Sequence, residues 1–267
     1  MAKSPVPDPN GLAERPSGAQ SIERAVSILR LIASCSPRGA KLIDIYKGVS
    51  LTRPTAHRIL RSLVAVRLVI QSETSKQYYL GPLAFEFGLA AARKPVIMER
   101  ARPILERLAE LSGDTAYIVV RSGGDAVCLG RREGVFPIKA LTLDVGSRSP
   151  LGVGAGGLAL LAEMDETDVR DTLSLNARLN ANYSGASAQN ILRRIADARR
   201  NGYAVSRDIV TRGVTGVGMI VPAKDGKPTA ALSISAISTR MTPKRILSLV
   251  PLLSEHCALL AKSINSL

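Results

Sequence analysis

Apolar residues recur every three to four positions from Ser21 onward, at Ile22, Ala25, Val26, Leu29, Ile32 and Ala33. That spacing predicts an amphipathic helix, stopped by Pro37 and Gly39. A short second helix follows, with Leu42, Ile45, Tyr46 and Val49 on one face. After a tight turn at residues 48–51, Thr52 is placed to cap a third helix. Pro54 is tolerated there, because the first turn of a helix has N–H groups without intrahelical partners. Ala56, Ile59, Leu60 and Leu63 give this helix its inner face; His57, Arg58 and Arg61 lie opposite, with Arg53 at the start. Two short apolar runs, 68–70 and 78–80, flank a polar loop and predict a hairpin. Gly81-Pro82 then opens an amphipathic stretch, 83–93, closed by Pro95, which reads as a connecting helix.

The remainder alternates strand and helix signals. Residues 96–111 predict a helix. Segments 115–120 and 126–129 flank Ser122-Gly123-Gly124-Asp125, a hairpin turn. Residues 138–143 predict a further strand. The small-residue run 152–157 leads into a helix over 158–164. Residues 188–200 predict a helix with Ile191, Leu192 and Ile195 inward. Segments 217–221 and 229–235 flank Asp225-Gly226, a second hairpin, and Pro243 begins a final helix to about 263. Helices mixed with hairpins predict an α+β domain with a largely antiparallel sheet. The domain limits that follow are an arm at 1–18, a winged helix-turn-helix at 19–81, a linker helix at 82–95 and an α+β domain at 96–267.

Composition adds a partner class. The chain has 267 residues with 36 Lys+Arg against 22 Asp+Glu, a net +14. Residues 1–95 hold 14 basic and 6 acidic side chains, net +8, so charge density is higher in the N-terminal third. An excess of that size points to a polyanion, most simply nucleic acid. The two histidines and three cysteines show no zinc-ligand spacing and no disulfide framework, which argues against a structural zinc site and fits a reducing cytoplasm. Nothing calls for a cofactor. No uninterrupted apolar run approaches the roughly 20 residues of a membrane helix, so a membrane is not an expected partner. The Pro- and Gly-rich residues 1–18 read as a disordered, mildly basic arm.

The candidate DNA-binding residues are Thr52, Arg53, Thr55, His57, Arg58 and Arg61 on the third helix and Lys76 in the hairpin. The major groove of B-DNA admits an α-helix whose early residues reach base edges and phosphates. A solvated basic face is the plainer alternative for a run of charge. It does not explain why a short helix and tight turn precede this helix and a hairpin follows.

The run from Gly152 to Gly157 matches GxGxxG literally. A dinucleotide site needs a strand just before it within a βαβ unit, and residues 144–150 do not read as a strand. Two readings of the run remain: anion capture by free N–H groups at a helix start, or a tight turn that needs small residues. Neither histidine lies in a pocket loop, as a Ser–His–Asp site would require, so the chain is not expected to be an enzyme. The rival class is a small-molecule-binding enzyme or cofactor protein whose basic N-terminus docks a partner.

Several dispersed segments resemble the IclR (isocitrate lyase regulator) family. Ser21 to Leu31 is similar to its opening helix, and Leu51-Thr52-Arg53-Pro54-Thr55-Ala56-His57-Arg58 to its recognition segment. Tyr78 to Pro82 is similar to the end of its wing. Arg199 to Val205, Ala230 to Ser235 and Arg240 to Pro243 are similar to later landmarks. The resemblance implies a cytoplasmic regulator that binds double-stranded operator DNA as a homodimer or homotetramer and senses a small molecule in a GAF-like domain. It places the effector's carboxylate at the backbone of Ala155 and Gly156 and the pocket serines at Ser233 and Ser235. The family's pocket cysteine falls on Gly216 and its pocket Asp on Ser206, with Asp208 nearby. Its common His and Lys fall on Gly152 and Leu158. These departures imply a roomier, less polar pocket, for an organic acid larger than glyoxylate, aromatic acids included.

Overall fold

The computed structural model describes residues 19–35, 38–91, 96–224, 226 and 230–265. The expected arm at 1–18, Pro37, Arg93, Pro95 and Asp225 lie outside the described residues. The chain divides into two compact units, residues 1–93 and 94–267.

In the first unit, α1 (Ala19–Ser34), α2 (Leu42–Gly48) and α3 (Arg53–Ala65) are followed by β1 (Val69–Gln71), β2 (Tyr78–Leu80) and α4 (Pro82–Ala91). Their core is Ile28, Ile32, Ala40, Ile45, Leu60, Leu63, Val69 and Tyr78. Ile28 and Ile32 are one helical turn apart and form the buried stripe of α1. Ile22 and Val26, expected inside, are 68% and 38% exposed. The inner face of α1 is rotated from the predicted one, because Ile28 and Leu31 also meet the bundle. Ala40 exchanges both backbone bonds with Tyr78 and so extends the hairpin by one residue. Gly81 is required where α4 begins, since a Cβ there would lie 2.1 Å from the Arg67 carbonyl oxygen.

The second unit runs α5 (Val96–Ser112), β3 (Thr115–Ser122), β4 (Asp125–Arg132), β5 (Arg148–Pro150), α6 (Ala155–Ala162), α7 (Glu166–Leu175), α8 (Ala177–Asn180), α9 (Ala188–Asn201), β6 (Ala204–Arg207), β7 (Val214–Ile220), β8 (Ala230–Ile237) and α10 (Pro243–Asn265). The six strands form one antiparallel sheet in the order β5-β4-β3-β8-β7-β6. Side chains alternate across a strand, and both faces are covered. Ala116, Ile118, Leu232 and Ile234 pack under α5 and α10. Tyr117, Val119 and Ala231 pack under α6, α7 and α9. This is the expected α+β architecture. The apolar helix α10 is long enough to cross a membrane, yet its inner residues Ile246, Leu249, Leu253, Cys257 and Leu260 belong to the sheet's core.

Three expectations change. Residues 138–143 are not a strand; the Tyr117 hydroxyl bonds Ala140 O at 2.5 Å and Thr142 N at 3.1 Å, so a side chain holds backbone groups that a ladder would otherwise take. A three-residue strand, β5, does precede the glycine run, but it pairs antiparallel with β4, so no βαβ unit forms. Leu192 of α9 is 45% exposed, and Ala198 takes its inward place. The strap between β4 and β5 is tied at its start. Asp114, whose side chain is 1% exposed, meets Arg240 at 2.7 Å and Arg245 at 3.3 Å, and Arg240 stacks over Phe136.

Candidate functional site

The first unit presents a basic face. Arg53, His57, Arg58 and Arg61 are exposed along α3, opposite the buried Ala56, Leu60 and Leu63. The three-to-four-residue spacing of the helix produces that separation. Thr52 is the N-cap, but its hydroxyl does not bond the backbone; it meets the Thr55 hydroxyl at 2.9 Å. A recess brings Arg53 and His57 together with Lys76 of the hairpin, and with Lys41 and Gln71. Arg58 and Arg61 line the next recess along the helix, again with His57. Lys76 has φ +56°, so the tip of the hairpin is a sharp turn; Gln71 braces it by donating from Nε2 to Lys76 O at 3.1 Å. Sequence reasoning missed Lys41. It precedes α2 and carries no helical signal of its own, and the fold sets it beside the hairpin.

The second unit holds a cavity between α6 and the sheet. Ala155, Gly156, Ser206, Gly216, Ser233 and Ser235 all line it, with Tyr117, Val119, Leu143 and Val210 among the other walls. None of its lining residues is Lys, Arg, His, Asp or Glu. The recess encloses about 470 Å³ including its open mouth, but free space at its centre is about 30 Å³, room for roughly one water molecule. Burial pushes the Tyr117 hydroxyl up from its ordinary pKa.

The polar atoms converge because of two periodicities. Ser233 and Ser235 are two residues apart on β8, so both point to the α6 side; they are 6% and 8% exposed. No hydrogen bond within the described residues occupies either hydroxyl. Helix α6 begins at Ala155, earlier than expected, and its first bond within the helix runs from Leu158 N to Gly154 O. The N–H groups of Ala155, Gly156 and Gly157 therefore have no acceptor inside the helix, and Gly154 as N-cap offers no side chain. Ser206 is used differently, for its hydroxyl donates to Val153 O at 2.7 Å and holds the loop before α6.

Three glycines let α6 sit directly on the sheet. A Cβ at Gly218 would lie 2.7–2.8 Å from backbone atoms of Ala155 and Gly156, and one at Gly156 would lie 2.7 Å from Val119 Cγ2. Gly156 thus allows the helix to approach the sheet while it lines the cavity. A Cβ at Gly216 would point between Ser235 Oγ (3.0 Å) and Ala155 Cβ (3.3 Å), so glycine there leaves that space free.

Asp208 is a correction: it does not line the cavity. It has φ +57°, accepts from Gly213 N at 2.8 Å and from Ser238 Oγ at 3.0 Å, and so ties the β6–β7 loop. Also absent from the expected set is Arg194 of α9, which donates from Nη2 to Gly152 O at 2.8 Å.

Comparison with known proteins covers both units. The model of the IclR helix-turn-helix domain matches residues 21–73, and that of the bacterial transcriptional regulator IclR C-terminal domain matches residues 89–260. The chain is 30% identical over 236 residues to the HTH-type transcriptional regulator BhcR of Paracoccus denitrificans, spanning 88% of this chain and 83% of that protein. It is 28% identical over 232 residues to the HTH-type transcriptional repressor AllR of Escherichia coli, spanning 86% and 85%. The crystal structure of an IclR transcriptional regulator from Alicyclobacillus acidocaldarius has a TM-score of 0.72 at 24% identity, over 91% of this chain and 98% of that one. That of an IclR homolog from Microbacterium hydrocarbonoxydans, complexed with 4-hydroxybenzoate, has a TM-score of 0.69 at 20% identity, over 92% and 100%. At these identities the solved structures share the fold.

Proposed function

From the premise that the chain belongs to the IclR family of bacterial transcriptional regulators, we propose how its two units divide the work. It is a ligand-responsive regulator that binds DNA through the helix-turn-helix unit. Helix α3 enters the major groove; Arg53 and Thr55, near its start, meet base edges, and Arg58, Arg61 and Lys76 meet phosphates. His57, which lines both recesses, belongs to both sets.

The second unit senses a small organic acid. One observation carries this reading: unpaired N–H groups of α6 and the free hydroxyls of Ser233 and Ser235 converge on a buried space with apolar walls. The carboxylate binds at the helix start, where the dipole favours an anion, and the body of the acid lies along Val119, Leu143 and Val210. Glycine at 216 puts no side chain between Ser235 and Ala155, and the homolog's complex with 4-hydroxybenzoate supports aromatic acids. Because the central space holds about one water, an acid of this size enters only as a wall moves. Binding then favours one of two conformations and changes operator affinity through their differential affinity for ligand. The regulator works in the cytoplasm as a homo-oligomer; Phe85 and Phe87 of α4, 67% and 57% exposed, support self-association. With no Lys, Arg, His, Asp or Glu in its wall, the cavity is better suited to binding than to acid–base catalysis.

A melting-temperature panel of organic acids tests the reading. An acid at 100 times its Kd stabilises by about 2.7 kcal/mol, and the same acid should shift operator affinity. A panel in which no acid stabilises the protein or alters operator binding would overturn it.

A further inference from the structure

An anion in the cavity meets no cation among the lining residues, yet a cation is bound to the turn that leads into α6. Arg194 reaches from α9 to the carbonyl of Gly152, two residues before the N-cap of α6. Its Nε and Nη1 are buried without a partner, and no carboxylate pairs with it among the described residues. Arg199 of the same helix acts differently: it donates to Ala162 O and Met164 O at 2.8 and 2.7 Å and so caps the negative end of α6. Arg194 instead adds positive charge at the positive end, an arrangement that helix electrostatics oppose unless an anion arrives. Burial, with neighbouring Arg193 second, pushes its pKa down, the sign of a charge lacking a counterpart. Gly152, at φ +93° and pressed against Ile191, fixes where its carbonyl points.

We propose that Arg194 is the specificity-determining positioning residue of the cavity: it holds the turn before α6 and supplies the uncompensated positive charge that makes a carboxylate preferred over a neutral ligand of the same shape. This rests on the ligand reading of the cavity. The second, independent sign of a ligand is the pair of unpartnered hydroxyls on Ser233 and Ser235, residues 6% and 8% exposed that both line the cavity. The three residues between the carbonyl of Gly152 and the first N–H groups of α6 can span at most roughly 10 Å. A unit charge at that distance, at an effective dielectric of about 20, changes anion affinity about tenfold. It does not act on a neutral ligand.

The experiment uses full-length protein and pairs of probes, each carboxylate with its primary amide: benzoate with benzamide, 4-hydroxybenzoate with 4-hydroxybenzamide, and pyruvate with pyruvamide. Calorimetry gives the carboxylate-to-amide affinity ratio for wild type, Arg194→Met and Arg194→Lys. Arg194→Met should lower the ratio about tenfold by weakening the carboxylate alone, and Arg194→Lys should keep most of it. Equal weakening of acid and amide, or no weakening, overturns the inference and leaves the cavity as a ligand site. If Arg194→Met does not fold, Arg194→Gln replaces it: a ratio about tenfold lower supports the charge role, and an unchanged ratio overturns it. Wild type that binds neither member of any pair overturns the ligand reading, and this inference with it.

Discussion

Replacing Gly218 with Ala tests whether α6 is seated on the sheet by the absence of one atom. Gly218 lies on β7 and is not among the lining residues of the cavity. Its added Cβ would stand 2.7 Å from the Ala155 carbonyl carbon and 2.8 Å from both Ala155 O and Gly156 N, where ordinary contact begins near 3.4 Å. Those are backbone atoms, so no side chain can swing aside. The start of α6 has to lift by about 0.7 Å, the difference between these distances. Overpacking of this kind costs about 1–3 kcal/mol. The stiffer unfolded chain returns only about 0.4–1 kcal/mol, so destabilisation wins by about 1–2 kcal/mol. For a unit of this size that lowers Tm by roughly 2–8 °C. The same lift carries the N–H groups of Ala155 and Gly156 away from Ser233 and Ser235. A hydrogen bond near 2.9 Å stretched by that much falls outside useful geometry, and one lost bond to a carboxylate weakens effector binding about tenfold or more. Thermal denaturation and calorimetry with the acid found by panel read both effects. Wild-type Tm and affinity in Gly218→Ala would refute the argument.

Other outcomes follow from the same geometry. Ser235→Ala should weaken the acid about tenfold while ligand-free operator affinity stays at the wild-type value; unchanged acid binding would remove Ser235 from the site. Arg58→Ala and Arg61→Ala should each weaken binding to all DNA sequences and flatten the salt dependence by about one charge per subunit, checked by titration at several ionic strengths. Asp114→Ala should cost about 3 kcal/mol, the low end for a broken buried ion pair, because Arg240 and Arg245 keep 30% and 31% exposure; denaturant unfolding reads it. Burial raises Cys128 to about 11 and Cys257 to about 12 from 9.0. Their contribution is complete below pH 9 and falls as the unfolded chain ionises while the folded one does not, from pH 9 to about 11 and 12. Denaturant midpoints across that range should fall less when each Cys is replaced by Ala.

The first unit was legible because its signals are local. Apolar spacing, a capping residue and two short apolar runs define α2, α3 and the hairpin without knowledge of the rest of the chain. The paired serines on β8 were legible for the same reason, since a two-residue period fixes a shared face. Asp208 misled because two residues beyond Ser206 the strand has ended and the backbone has turned to φ +57°. Residues 138–143 carry apolar side chains at strand-like intervals, but a tyrosine more than 20 positions away claims their backbone. Ile22 and Val26 fit the helical period as well as Ile28 does; only packing decides which stripe turns inward. Arg194 looks like one more charge on a polar helix, and Gly218 like one more glycine in a strand. Their meaning lies in which atoms the tertiary fold brings to within 3 Å.

The central pairing of the sheet also sets an order of events during synthesis. β3 takes its neighbour on one side from β8, more than 100 residues later in the chain. At about 5–20 residues per second, the ribosome delivers β8 roughly 5–25 s after β3. The helices and hairpin of the first unit, a compact unit of its own, have already been synthesised by then. Until residue 237 emerges, the nascent protein carries its DNA-contacting half without a finished sensor, and β3 is paired on one side only. A message broken or mistranslated before Ala230 would therefore leave a chain with its DNA-contacting helices intact and no sensor to regulate them.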